Sequence, residues 1–283
     1  MCLLNMIVRS LCDISPRFIG PKFYSVKVSS HIVGNIAIKV YSPEAKTKKP
    51  VVVYYHGGGW VIGSIKAYDR IFRYISYNAD CIVVAIEYRK APEYKFPTAL
   101  QDSYLGYCWT VNNISELNGD TNRLVLCGDS AGGNLILGLL SMIYRQKIIP
   151  TPYLLVLIYP LLEPTINSSN KRTWLGKVSN KILNYSLKQY LAEYSNHNIR
   201  QISFISNFNE KIPYPTTFIF TGELDALTAD INLYANKLRA KGTEVFIKEY
   251  PGALHGAINF SGLFKVSKTM LKDITEHIQC YCK

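Results

Sequence analysis

Apolar residues follow two rhythms along this chain. Short, nearly unbroken runs stand at 51–55, 81–86, 124–127, 153–159 and 217–220, and a further extended stretch follows at 244–249. Between them lie longer segments in which apolar residues return at helical spacing: 67–77, 98–111, 131–145, 226–240 and 260–279. A strand that is apolar on both sides is expected where helices cover both faces of a parallel sheet. Strand and helix in regular alternation predict an α/β architecture, a mostly parallel twisted sheet between two layers of helices. The opening stretches 24–28 and 36–40, around a turn at Gly34, read instead as an antiparallel hairpin at one edge.

One segment breaks the alternation. Residues 161–213 separate two core strands by far more than a crossover helix needs, so they predict a lid-like insertion. Within it Ser186 is placed to cap a helix carrying Leu187, Tyr190, Leu191 and Tyr194. The first residues show a second apolar stripe, Leu3, Leu4, Ile7, Val8 and Leu11, which reads as a helix packed on the body or, alternatively, as a weak membrane-surface contact. A chain of 283 residues could hold two domains, but α/β proteins often use this length as one, and a single domain spanning 1–283 is expected.

Composition adds exclusions. The chain is 48% hydrophobic and only 18% charged, as a globular chain with a large core is. The net charge of +12 invites a nucleic-acid reading, yet the basic residues are spread out and no basic patch with interleaved aromatics stands out, so no nucleic-acid partner is expected. A general attraction to anionic surfaces remains. Seven cysteines, an odd number without regular spacing, argue against a disulfide framework, and no paired Cys-x-x-Cys motifs suggest zinc. The run from Met1 to Val8 is too short to span a bilayer. Together these features predict a cytoplasmic protein, and composition leaves the oligomeric state open.

The first chemical signal is Gly128-Asp129-Ser130-Ala131-Gly132. It follows an apolar run directly and opens a helical segment. A serine at such a strand-to-helix elbow has a strained backbone and needs small neighbours, and the helix start beneath it favours negative charge. Neither a dinucleotide fingerprint nor a phosphate-loop Lys-Ser/Thr pair is present, so no cofactor is expected. The second signal is His56-Gly57-Gly58-Gly59-Trp60, at the end of an earlier strand. Consecutive glycines let backbone N–H groups approach a developing oxyanion, and the amides of Gly58, Gly59 and Ala131 are the expected donors.

A nucleophilic serine needs a base. Of five histidines, His31 lies near the amino-terminal strands, His56 in the glycine loop, His197 in the insertion and His277 in the last helix. His255 alone stands in a loop after the last strand, where α/β folds assemble their sites. Asp225, after the preceding strand, is the carboxylate expected to orient that imidazole. Glu223 is assigned a supporting role, and Asp230 falls within the next helix.

Taken together, the His56–Trp60 and Gly128–Asn134 motifs resemble those of the hormone-sensitive-lipase family of α/β-hydrolases, which includes bacterial esterases and arylacetamide deacetylase. The chain order Ser130, Asp225, His255 is the α/β-hydrolase order. Tyr88-Arg89-Lys90-Ala91-Pro92-Glu93, with Phe96-Pro97 and Asp102, resembles another block of the family, and so does Asp225-Ala226-Leu227. Lys90 stands where the family usually has Leu, and Ala226 where it has Pro. The resemblance implies an α/β-hydrolase core with a helical cap from about 1–22 and 161–213, and metal-free hydrolysis of carboxylic esters. A short- to medium-chain ester, cleaved through an acyl-serine, is the expected substrate. Amide deacetylation, interfacial lipolysis and a non-catalytic small-molecule receptor are the alternatives.

Overall fold

The computed structural model describes residues 9, 20–44, 47–164, 174–191 and 196–282. Its centre is an eight-stranded sheet: β1 (Lys27–Val33), β2 (Ile36–Ser42), β3 (Lys49–Tyr55), β4 (Ile82–Glu87), β5 (Gly119–Asp129), β6 (Leu154–Ile158), β7 (Thr216–Gly222) and β8 (Val245–Tyr250). The spatial order is β1-β2-β4-β3-β5-β6-β7-β8. β1 pairs antiparallel with β2 and β2 with β4, while β3 to β8 are mutually parallel. The hairpin turns at Gly34, whose φ is 57°.

The central strands are apolar on both faces because both are covered. All five residues of β6 are buried, and Val53 of β3 sits in register between Val84 of β4 and Leu126 of β5. Burying each such aliphatic side chain contributes about 1.5–3 kcal/mol relative to leaving it exposed. Edge strand β1 instead has only exposed and half-buried positions.

The covering helices are α1 (Ile65–Asn78), α2 (Thr98–Asn113), α3 (Ala131–Arg145), α6 (Thr228–Ala240) and α7 (Lys265–Tyr281). α1 packs against α7, and α2 against α3. Ser64 caps α1, its hydroxyl accepting from the Ala67 amide at 3.0 Å, which satisfies one otherwise orphaned donor. The expected helix at 260–279 starts later. Residues Ala257–Phe260 form a 3₁₀ turn, and α7 begins only after the extended Phe264.

Between β6 and β7 lie α4 (Trp174–Tyr190) and α5 (Asn196–Gln201). Ser186 does not cap a helix here: it stands in the last part of α4, which begins well upstream, and its buried side chain faces the body. Leu187, Tyr190 and Leu191 are buried as their spacing predicts, while Tyr194 lies outside the described residues. The insertion's ends are tied together. Phe204 N–H donates to Leu162 O at 2.8 Å, and Glu163 Oε1 accepts from the amides of Ile205 and Ser206. The stripe Leu3, Leu4, Ile7, Val8 and Leu11 also falls outside the described residues. Among those described, no helix is long and apolar enough to cross a membrane.

The strand order locates the site. From β3 the chain moves to β4 on one side, and β5 then lies on the other. The carboxyl ends of β3 and β5 therefore flank a topological switch point, where crevices open in such sheets. The glycine loop leaves β3 there, and the Ser130 elbow leaves β5.

Candidate active site

Ser130 is the single residue between β5, which ends at Asp129, and α3, which starts at Ala131. Its backbone has φ 52° and ψ −116°, a strained region for a side chain with a Cβ. The strain is held by neighbours on both sides: Ser130 N–H donates to Ile158 O at 2.9 Å, and Ser130 O accepts from Leu161 N–H at 3.0 Å. Gly132 allows the elbow to press onto β3, since a methyl group there would overlap the Tyr55 carbonyl.

The loop after β8 brings His255 to this serine, with Nε2 2.9 Å from Ser130 Oγ. The other ring nitrogen, Nδ1, lies 2.7 Å from Asp225 Oδ2. A carboxylate at Nδ1 selects the tautomer whose Nε2 can accept a proton. Asp225 is itself fixed, because Oδ1 accepts from Leu227 N–H at 2.9 Å. The Asp225 side chain is fully buried, whereas the His255 side chain is 36% exposed, so the imidazole is reached from solvent and its carboxylate partner is not. Desolvation by the surrounding protein works against a charged imidazole. The charge of Asp225, its hydrogen bond and the more distant Asp129 outweigh that, and the His255 pKa is raised above its usual 6.5.

The two loops are stapled to each other. Leu224 N–H donates to Ala253 O at 3.0 Å, Glu223 N–H donates to Tyr250 O, and Gly252 N–H donates to Glu223 Oε2 at 2.9 Å. Glu223 thus braces the His255 loop. The Tyr159 ring packs beside the imidazole, with centroids 4.9 Å apart and planes tilted by 59°.

The glycine loop sits on the opposite side of the switch point. Gly58 has φ 116°, open to glycine alone, and its carbonyl accepts from both Val61 N–H and Ile62 N–H. His56 is buried, its Nδ1–H donating to Gly57 O at 2.7 Å, while Tyr88 Oη–H donates to His56 O at 2.7 Å. Within the described residues the amides of Gly58 and Gly59 enter no hydrogen bond. Ala131 N–H is at the first position of α3, where helical amides have no intrahelical partner.

One contributor escapes the sequence reading. Asp129 is buried beneath the site and gathers three donors: Gly57 N–H at 2.9 Å, Tyr54 Oη–H at 3.1 Å and Tyr68 Oη–H at 2.8 Å. It joins the glycine loop to the elbow. Burial raises its carboxyl pKa, the three donors pull it partly back, and it settles at about 6. Its only trace in the sequence is its place as the variable residue of the Gly-x-Ser-x-Gly pattern.

The remaining histidines stand elsewhere. His31 lies on β1 against Trp109, and His277 Nδ1–H donates to Asp273 O inside α7. His197 is on α5. Asp230 is on α6, as expected. Arg89 forms a two-pronged ion pair with the buried Asp102, and Lys90 pairs with Glu87. Among the described residues, no group of three His, Cys, Asp or Glu side chains is arranged to hold a metal ion. A cavity of about 710 Å³ bordered by Phe96, Leu100, Met142 and Phe204 includes none of the site residues.

Besides Leu161 at its start, the insertion meets the glycine loop through α4. Ser186 of α4 lies against Gly59, where an added methyl would come within 2.5 Å of its Oγ. Tyr190 stacks on Trp60, with ring centroids 4.4 Å apart and planes 7° from parallel, and its carbonyl accepts from Phe96 N–H.

Comparison with known proteins agrees with this architecture. Residues 52–259 match a family described as alpha/beta hydrolase fold. The chain is 32% identical over 232 residues to carboxylesterase NlhH of Mycobacterium tuberculosis, covering 80% of this chain and 72% of that protein. It is 30% identical over 248 residues to an arylesterase of Saccharolobus solfataricus, covering 84% and 79%. Among solved structures, a hyperthermophilic esterase from Pyrobaculum calidifontis superposes with a TM-score of 0.88 at 27% identity, over 98% of this chain and 91% of that one. EstE1, a thermostable carboxylesterase from a metagenomic library, gives 0.87 at 28% identity, over 99% and 97%. The glycine loop, the Ser130 elbow, Asp225 and His255 all fall within the matched residues, and the chain belongs to the alpha/beta hydrolase fold family, in its hormone-sensitive-lipase-like branch.

Proposed function

We propose that this chain is a serine carboxylesterase acting on small carboxylic esters of short to medium acyl length, with Ser130, His255 and Asp225 as its triad. The observation that carries the reading is the unbroken relay from Asp225 Oδ2 through both nitrogens of His255 to Ser130 Oγ, at 2.7 and 2.9 Å. The names of the related esterases support the substrate class.

The steps follow from the relay. Ser130 Oγ attacks the ester carbonyl while its proton passes to His255 Nε2, and Asp225 stabilises the imidazolium that results. The carbonyl electrons move onto oxygen, where the amides of Gly58, Gly59 and Ala131 receive them, supported by the α3 N-terminus. The tetrahedral centre collapses, and the alcohol leaves with the proton from His255. Water, activated by the same nitrogen, then attacks the acyl-serine and releases the acid.

The domain reading follows the same logic. One hydrolase domain carries a cap formed by 161–213 and by the amino-terminal stretch, of which Arg9 is described. Its guanidinium donates to Val61 O and Ala91 O and pairs with Glu93. The free cysteines Cys81, Cys108, Cys127, Cys280 and Cys282 support a reducing, cytoplasmic setting.

A fluorophosphonate probe tests the reading. The native chain is expected to be labelled at Ser130 and to turn over p-nitrophenyl butyrate. Ser130→Ala is expected to lose both while melting at the same temperature. Labelling that survives this substitution overturns the assignment.

A further inference from the structure

Helix α4 has two apolar faces, and only one is covered. Leu183, Leu187 and Tyr190 are buried toward the body. On the opposite side Trp174, Val178, Ile182 and Tyr185 recur at spacings of four, four and three, which sets them in one stripe. All four are exposed, Trp174 to 73% and Ile182 to 62%. A lone exposed apolar residue is ordinary on any protein surface; four large ones in register along one helix mark an interaction face.

The charges beside the stripe indicate its occupant. Lys177 and Lys181, both exposed, precede Val178 and Ile182 by one residue each, so they run along one flank of the stripe, and Lys188 continues that flank. The helix contains no Asp or Glu from Trp174 to Tyr190. An apolar stripe edged by lysines and free of acid is the composition of a helix lying in the plane of a lipid–water boundary, rings and aliphatics among the upper acyl chains and ammonium groups on anionic headgroups. The net charge of +12 adds long-range attraction to the same surface.

We propose that α4 docks flat on an anionic lipid surface through Trp174, Val178, Ile182 and Tyr185, with Lys177 and Lys181 at the headgroup phosphates. The buried face of the same helix carries Ser186 against Gly59 and Tyr190 against Trp60, so the docked element adjoins the glycine loop. Docking requires no turnover, and it is tested apart from the esterase reading.

The test uses the full chain carrying Ser130→Ala, sedimented with vesicles of phosphatidylcholine alone or with phosphatidylglycerol added, at physiological salt. Binding to the anionic vesicles only is expected, with a blue shift in tryptophan emission from Trp174, since Trp60 is fully buried and Trp109 is partly so. Val178→Glu with Ile182→Glu, and separately Lys177→Glu with Lys181→Glu, should each weaken binding roughly tenfold or more. Both pairs are exposed, and an unchanged melting temperature checks that the fold is intact. Three results overturn the proposal: no binding to anionic vesicles, equal binding to phosphatidylcholine, or full binding by both α4 variants. Loss of the esterase reading leaves each of these results interpretable, because none depends on hydrolysis.

Discussion

The loops at the carboxyl edge of the sheet and the insertion between β6 and β7 are held by different kinds of contact. At the edge, position is set by short hydrogen bonds to carboxylates, the buried Asp129 and Asp225 and the exposed Glu223. Asp129 holds Gly57, Asp225 holds both Leu227 N–H and the imidazole, and Glu223 holds Gly252. Within the insertion, Leu161 is still bonded to Ser130, but α4 meets the site mainly through a ring stack, Tyr190 on Trp60, and a small side chain, Ser186 on Gly59. Directional bonds lose most of their value when displaced by a fraction of an ångström, whereas stacked rings tolerate sliding. Chemistry that needs fixed distances is therefore assigned to the first region and adaptable enclosure to the second.

That contrast breaks most visibly at the edge. Asp225→Asn keeps the shape of the relay but favours the wrong imidazole tautomer, and kcat should fall by about 10⁴. Steady-state turnover of p-nitrophenyl acetate measures it. Asp129→Ala leaves Gly57 N–H and two tyrosine hydroxyls without their acceptor and frees the glycine loop. A loss of about 10²–10³ in kcat, with KM little changed, is expected if the loop supplies the oxyanion donors. A kcat within a few-fold of the native value would separate Asp129 from the chemistry.

The pH profile is a milder probe. The imidazole serves as base only when neutral, and its pKa in the folded chain lies above 6.5. Activity is therefore full above that raised value and is lost as pH falls through it, about tenfold for each unit below. Asp129 is one of the charges that raise it, so Asp129→Asn should move the acid limb of kcat/KM to lower pH. The smallest effect is expected in the insertion. Tyr190→Ala removes the stack on Trp60 and should change kcat/KM for an acetate ester only a few-fold, while destabilising the chain by roughly 3–5 kcal/mol as other buried aromatic truncations do. A loss of kcat as large as that of Asp129→Ala would erase the distinction between the two regions.

Much of the edge was legible in the sequence because its requirements are local. A serine between a strand and a helix with glycines on either side, or three glycines after a strand, can be read from a few consecutive residues. The runs that became β3, β4 and β6 were equally plain, since strands covered on both faces must be apolar throughout. The insertion was harder. Its length gave it away, but Ser186 reads as a cap only if the helix is assumed to start there. α4 starts at Trp174, and its polar positions among two apolar faces blur the single stripe that periodicity seeks. Asp129 was missed for another reason: its partners Tyr54, Gly57 and Tyr68 come from β3, the glycine loop and α1, and nothing nearby in sequence announces them.

The single carboxylate of Asp129 precedes Ser130 in the chain and grips the residue before Gly58. Attacking group and anion cradle thus share a common footing: a shift of β5 along its axis carries both in the same direction and leaves the gap between them nearly constant. Thermal expansion of the sheet should then spare the reacting geometry until that footing gives way, so that warming ends activity in one abrupt step instead of eroding it by degrees.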